Sequence, residues 1–156
     1  ELATLATSGA PAMRRIVETE VQRLLPAAAA PTGPPPADLV IELITDQVRS
    51  VRGQTAIFVI RDGLPNGVVA ALADSVRFVT AQEYRDLPAP SEGARKSLTI
   101  TVRGVLGPFV WIRTASSGES APDARGRPGY WASGSSAVYL RIDGRWTRLG
   151  GDNWIT

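Results

Sequence analysis

The side chains best suited to hold a ligand concentrate in Ser116–Ser136, a stretch of 21 residues rich in Gly, Ser and Pro. A stretch of this composition and length predicts a long loop, and long loops in compact domains are often functional. Arg125 and Arg127 would bind a carboxylate or phosphate, and Tyr130 or Trp131 would stack on a flat ligand. These four are candidate ligand-binding residues. The competing interpretation is a surface loop that Trp131 anchors to the core.

The same loop contains a short match to a DNA-binding motif. Arg125-Gly126-Arg127-Pro128 resembles the core of the AT-hook, in which two arginines flank a glycine in a narrow minor groove. AT-hooks carry further cations on both sides, whereas the charged neighbours here are Glu119 and Asp123. The sequence therefore weighs against nucleic acid as a partner.

Asp62 is the candidate ligand-binding residue of the first half. It follows Thr55–Ile60, a β-branched and aromatic run that predicts a strand buried on both faces. Ligands collect at the carboxyl ends of such strands, which favours a functional role for Asp62. Asp62-Gly63 is also a common turn dipeptide, so a hydrogen bond within a turn is the competing interpretation.

Missing residue types exclude much of enzyme chemistry. The 156 residues include no Cys, no His and a single lysine, Lys96. Thiol nucleophiles, histidine bases, disulfides and Cys/His zinc sites are therefore excluded. No glycine-rich phosphate loop or nucleophile elbow is present, so we predict no cofactor and no metal. No catalytic residue is predicted, and Lys96 beside Arg95 at a strand entrance is expected to be solvated rather than catalytic.

Charge and aromatic residues are unevenly distributed along the chain. Residues 1–90 hold 8 basic and 10 acidic side chains, whereas residues 91–156 hold 9 basic and 5 acidic ones and seven of the ten aromatic residues. Arginine and aromatic side chains are enriched at interfaces. This asymmetry places the expected binding surface in the C-terminal half, although strands also favour aromatic residues for packing alone.

The elements that must position these residues form an α+β pattern. Apolar residues at helical spacing predict helices over Met13–Leu25 and Leu39–Val51, and the prolines of Ala27–Pro36 predict an extended linker between them. Thr55–Val79 predicts a small strand-helix-strand unit. Thr80-Ala81-Gln82-Glu83 matches a capping box that opens a helical turn.

Two antiparallel hairpins follow, over Leu98–Arg113 and around Asp143-Gly144 in Ala137–Leu149. The predicted fold class is α+β, with two N-terminal helices, the strand-helix-strand unit and hairpins that form one mixed sheet. Residues 1–36 are predicted to be an N-terminal helix and linker, and residues 37–156 a single globular domain.

These patterns predict a soluble bacterial domain that binds a protein or a small anionic or glycan ligand through its Arg/Trp-rich C-terminal half. The alternative is a small carboxylate-dependent hydrolase or isomerase with a sheet-lined pocket. No apolar run approaches the ~18–20 residues of a transmembrane helix. The lack of cysteine fits a periplasmic or secreted location, with the cytoplasm as the alternative. The Met13–Leu25 helix would be the contact of a homo-oligomer.

Overall fold

The computed structural model describes residues 15–17, 19–20, 23, 36–51 and 55–156. The residues described between 15 and 23 are helical, in agreement with the predicted Met13–Leu25 helix. The rest of that helix, and all but Pro36 of the predicted Ala27–Pro36 linker, lie outside the described residues. No helix in the described part is both long enough and apolar enough to cross a membrane. The predicted division at residue 36 stays a prediction.

The fold is α+β, as predicted. Three short helices and two strands come first: α1 (Ala37–Ser50), β1 (Thr55–Ile60), α2 (Asn66–Leu72), β2 (Arg77–Val79) and α3 (Ala81–Asp86). Four long strands follow: β3 (Ala94–Leu106), β4 (Phe109–Ser120), β5 (Tyr130–Ile142) and β6 (Arg145–Ile155). They form one six-stranded mixed sheet in the order β2-β1-β3-β4-β5-β6.

The strand-helix-strand unit is confirmed, because β1 pairs in parallel with β2 through α2. β1 also pairs in parallel with β3, so it lies inside the sheet. Its burial increases along the strand until Phe58, Val59 and Ile60 are all buried. The β-branched and aromatic run therefore forms the strand that its composition predicts.

The hairpin around Asp143-Gly144 is also confirmed. Both turn residues have a positive φ, 49° for Asp143 and 79° for Gly144, which is the geometry of a type I′ turn between twisted strands. Gly107-Pro108 makes the corresponding two-residue connection between β3 and β4. A connection this short joins antiparallel strands.

The prediction of a 21-residue loop over Ser116–Ser136 is wrong. β4 continues to Ser120 and β5 begins at Tyr130, so the loop spans only residues 121–129. The glycines that suggested a loop make room for aromatic rings from the next strand. A Cβ on Gly118 would overlap the indole of Trp131, and one on Gly134 would lie 2.5 Å from the indole of Trp154. Each glycine is thus a strand position matched to a tryptophan.

The described residues fall into two compact units. The first contains Thr101–Arg113 and Ser135–Asn153 together with the helical residues described between 15 and 23, and the second contains Pro35–Ile100, Thr114–Gly134 and Trp154–Thr156. The first unit has a core of Val17, Phe109, Val138, Leu140 and Leu149. In the second, buried apolar side chains come from both helices and strands: Leu39, Val40, Ile44, Phe58, Val59, Ile60, Val68, Leu98 and Ile100.

β6 contains one extra residue relative to β5. The turn at Asp143-Gly144 pairs Ile142 with Arg145, but the mutual backbone hydrogen bonds between Ala132 and Thr156 are offset from that register by one position. The irregularity is at Gly151, where φ is 158° and an added Cβ would overlap the Ser136 carbonyl oxygen. This arrangement is a β-bulge.

Candidate functional site

The second unit carries an open cleft with a volume of about 610 Å³. Its wall is formed by α3, by the first residues of β3 and by the ends of β4 and β5 nearest the 121–129 loop. The lining residues are Tyr84, Arg85, Arg95, Ser117, Gly118, Glu119, Tyr130, Trp131, Ala132 and Thr156. The cleft therefore contains two of the five predicted ligand-binding residues, Tyr130 and Trp131.

An arginine–glutamate pair forms the polar centre of the cleft. Arg95 Nη2 is ion-paired with Glu119 Oε1, and the two side chains are only 13% and 16% exposed. Arg95 Nη1 donates hydrogen bonds of 3.0 Å to the carbonyl oxygens of Leu87 and Pro88. The guanidinium carbon also lies 5.0 Å from the centre of the Tyr84 ring, within cation–π range. The ion pair with Arg95, which is itself held by these contacts, restrains Glu119 near the end of β4.

One donor of this arrangement lacks a partner. The Arg95 Nε atom is buried and makes no hydrogen bond to any described residue. Buried donors are normally paired, so this atom is an exception among the contacts of the guanidinium group.

α3 is held by a capping box that the sequence predicted. The Thr80 hydroxyl accepts a 3.0 Å hydrogen bond from the Glu83 backbone N–H, and the Glu83 carboxylate accepts a 2.6 Å bond from the Thr80 N–H. The bond from the Thr80 backbone is the main reason that the pKa of Glu83 lies below its ordinary value. This cap positions Tyr84, whose ring packs edge-on against Phe58 with 5.6 Å between ring centres.

Asp62 takes part in the same helix start and does not line the cleft. Its carboxylate accepts a 2.7 Å hydrogen bond from the Ala81 backbone N–H, the first residue of α3. The neighbouring Arg61 forms an ion pair of 3.2 Å with Glu83. The structure thus gives Asp62 a contact that fixes a helix end, which is closer to the structural interpretation than to a ligand site.

Burial also affects the phenol of Tyr84. The pKa of Tyr84 is raised mainly because its hydroxyl is partly removed from water, while nearby Arg95 and a hydrogen bond from Ser97 oppose the rise. Ser97 in turn shares a 2.9 Å hydrogen bond with the Ser117 hydroxyl. The cleft therefore presents neutral hydroxyl groups beside its charged pair at physiological pH.

Tyr130 and Trp131 lie on opposite faces of β5, because neighbouring residues of a strand alternate between the two faces. The Trp131 indole covers Gly118, so it packs on the sheet as the anchoring interpretation predicts. Tyr130 is 73% exposed and is one of the most exposed large apolar side chains described. Of the two predicted aromatic residues, Tyr130 is the more exposed, and Trp131 is only partly exposed.

Arg125 and Arg127 lie in the 121–129 loop and do not line the cleft. Asp123 organises this loop, because its Oδ1 atom accepts hydrogen bonds from the backbone N–H groups of both arginines, at 2.8 and 3.0 Å. Those bonds, first that from Arg127, hold the pKa of Asp123 below its ordinary value. The Arg127 guanidinium returns to Asp123 Oδ2 at 3.3 Å. A compact turn closed by an acid differs from the extended, cationic AT-hook.

Sequence reasoning missed Tyr84, Arg95 and Glu119. They come from a helix and two separate strands, and no local motif connects them. A partial signal was available: Arg95 and Glu119 become cross-strand partners once β4 is extended to Ser120.

No group of three or more acidic side chains within the described ranges could hold a metal ion. No family model, curated protein or solved structure matches the chain.

Proposed function

We propose that this chain is a binding domain whose cleft takes a small glycan ligand, with an acidic group on the ligand as a further contact. The observation that carries the proposal is the exposed ring of Tyr130 at the rim of a cleft that contains the Arg95–Glu119 pair. An exposed aromatic ring beside fixed polar groups suits a sugar, which has both apolar C–H faces and hydroxyl groups.

Each part of a sugar has a counterpart in the cleft. The Tyr130 ring offers a face for C–H groups. The Glu119 carboxylate and the exposed Ser117 hydroxyl are acceptors or donors for sugar hydroxyls, and Arg95 restricts where Glu119 can lie. Because Glu119 and Ser117 already have partners in Arg95 and Ser97, these two side chains lose little conformational entropy on binding.

Arg85 is the support for an acidic substituent. It is exposed at the cleft wall, and Arg85 Nη2 donates a 2.7 Å hydrogen bond to the neutral amide oxygen of Gln82. Arginine can bind a carboxylate through two parallel hydrogen bonds. A uronic acid or another carboxylated sugar would meet this side chain.

The dimensions of the cleft favour a small ligand over a protein partner. Small-molecule sites have volumes of roughly 300–1,000 Å³, and this cleft falls in that range. The hydrolase or isomerase alternative receives less support, because Glu119 is the one acidic side chain among the described lining residues and Arg95 engages it. An acid pair of the glycosidase type needs two carboxyl groups. Export to the periplasm or medium stays a prediction from composition.

The test is binding of glucose, glucuronic acid and their short oligosaccharides, measured by ligand-detected NMR and then by calorimetry. We expect Tyr130→Ala to weaken binding about five- to tenfold, because an aromatic contact contributes about 1 kcal/mol. Tyr130→Phe keeps the ring and is expected to bind like the wild type. Arg85→Gln is expected to weaken binding of glucuronic acid and leave glucose unchanged.

Ile16→Ala is the matched surface control, because Ile16 is exposed and apolar but does not line the cleft. Equal affinity of wild type and Tyr130→Ala for every sugar that binds would show that the cleft is not the site. The absence of binding to the whole panel would reject the glycan proposal.

A further inference from the structure

The single lysine of the chain lies on the other face of the sheet from the polar pair. Lys96 is the third residue of β3, between Arg95 and Ser97. Arg95 and Ser97 point to the face where α3 and the Glu119 carboxylate lie, as their contacts with Tyr84 and Glu119 show. Because strand residues alternate, Lys96 projects from the opposite face.

Apolar side chains flank Lys96 within the sheet. Ile57 of β1 is its direct neighbour in the parallel ladder. On the other side, the contacts of Arg95 with Glu119 and of Ser97 with Ser117 place Gly118 opposite Lys96. The Trp131 indole covers Gly118. Lys96 therefore has Ile57 on the strand to one side, and Gly118 with the Trp131 indole over it on the other side.

Lys96 is half-buried and has no ion pair or hydrogen bond with any described residue. Partial removal from water lowers the pKa of its amine, and no neighbouring charge contributes to the shift. The sequence predicted a solvated strand end, and the structure corrects that prediction. An accessible amine that is desolvated and unpaired has the properties of a nucleophilic lysine.

We propose that Lys96 is a reactive amine that captures small aldehydes or ketones as a reversible Schiff base. The neutral Nζ atom forms a bond to the carbonyl carbon as the π bond of the carbonyl group breaks, and one proton passes from the nitrogen to the oxygen, which gives a carbinolamine. Loss of the hydroxyl group as water then leaves the C=N bond. The step is a condensation, so it needs no oxidant or reductant.

The surroundings define the class of carbonyl compound. Ile57 and the Trp131 indole give the approach an apolar lining, and neither carries a charge that would hold an ionic substituent. A short aliphatic or flat aromatic aldehyde would gain contact area there, whereas a highly charged sugar aldehyde would not. Lys96 projects from the opposite face of the sheet to Arg95 and Glu119, although Trp131 also lines the cleft. The Lys96 proposal does not depend on the glycan proposal.

The experiment exposes the full chain to propanal at pH 7 and traps the imine with borohydride, and peptide mapping then locates the propyl group. The matched control is the double variant Lys96→Arg/Arg103→Lys, which moves the only lysine to an exposed position of the same strand. We expect Lys96 to react more than about threefold faster than the control lysine. Peptide mapping separates both from the N-terminal amine.

Equal or slower labelling of Lys96 in the folded protein would overturn the proposal. A second measurement covers the case in which the double variant folds poorly. With ¹³C-labelled lysine the wild type gives one set of side-chain NMR signals, and their titration reports the amine directly. A midpoint at or above the ordinary lysine pKa of about 10.4 would also overturn the proposal.

Discussion

Arg95 and Lys96 are adjacent cations at the start of β3, yet their surroundings are opposite. Arg95 has a carboxylate, two backbone carbonyls and an aromatic ring around its guanidinium group. Lys96 has no polar partner among the described residues and is flanked by Ile57. The comparison shows that strand alternation alone can separate a structural cation from an available one.

The difference originates in what covers each face. α3 ends at Asp86, and the carbonyl groups of Leu87 and Pro88 that follow it are left without helical partners, so they accept hydrogen bonds from Arg95. The Lys96 side chain makes no hydrogen bond to a carbonyl group of the described residues. A guanidinium group can satisfy several acceptors at once, whereas removal from water lowers the pKa of an ammonium group in an apolar setting.

The largest expected effect is the difference in stability between a variant that lacks Arg95 and one that lacks Lys96. Arg95→Met removes one partner of a mostly buried ion pair and is expected to lower the free energy of unfolding by about 3 kcal/mol. Lys96→Met keeps the aliphatic stem and is expected to change it by less than about 0.5 kcal/mol. Urea denaturation followed by circular dichroism measures both. Equal losses of unfolding free energy in the two variants would contradict the comparison. The double variant Arg95→Met/Glu119→Met is a further test, because removing both charges should restore part of the stability that Arg95→Met alone loses.

Gly118 lies opposite Lys96 and next to Glu119, the partner of Arg95. Its replacement should give the next largest effect on stability. In Gly118→Ala, the added Cβ would overlap Trp131 and would lie 2.7 Å from the Arg95 carbonyl oxygen, so we expect a loss of about 2 kcal/mol. Gly67→Ala is the control, because Gly67 is in α2 with open space around its Cβ position. The control should be neutral or slightly stabilising. Thermal denaturation distinguishes these outcomes, and two equal changes would show that the indole can shift at no cost.

Removing the capping box of α3 should have a smaller effect on stability, and that effect should be confined to the face of the sheet that carries Arg95. Thr80→Ala removes the hydroxyl of the capping box and is expected to cost about 1 kcal/mol. Amide hydrogen exchange should increase in α3, including Tyr84. Thr45→Ala serves as control, since the Thr45 hydroxyl bonds back to Ile41 within α1 and caps no helix. If Thr80→Ala increased amide exchange more at Lys96 than in α3, the two faces of the sheet would not be independent.

The smallest effect is the pH dependence of Lys96. Below the lowered folded pKa the amine is charged in both states, and the folded state bears the cost of desolvation. As pH rises through the lowered folded pKa, the folded protein loses the proton while the unfolded chain keeps it up to about pH 10.4. Wild type should therefore gain stability relative to Lys96→Met between those pH values. A constant difference from pH 8 to 11 would contradict partial desolvation.

Local patterns predicted the elements that depend on nearby residues. The composition of β1, the capping box at Thr80 and the Asp143-Gly144 turn each specify a backbone geometry within a few residues, and each prediction is confirmed. The extent of β4 and β5 depends instead on a distant ring. Gly118 reads as a breaker in isolation, and only its pairing with Trp131 makes it a strand residue.

The cleft was predictable only to the extent that its residues belong to a local pattern in the sequence. Tyr130 is an aromatic residue in the basic, aromatic half of the sequence, where the binding surface was expected, and it lines the cleft. Arg125 and Arg127 belong to the short match to the AT-hook, but nearby Asp123 uses their backbone groups to close a turn. Arg95 and Glu119 are 24 positions apart in the sequence, and only the strand register brings them together.

The bulge at Gly151 has a consequence for association between chains. β6 is an edge strand of 11 residues, long enough to act as a template for an added strand. The extra residue divides it into two short ladders of different register, so an incoming regular strand can match one of them but not both. The conformation of a single glycine thereby disfavours the pairing of a long regular strand along the β6 edge.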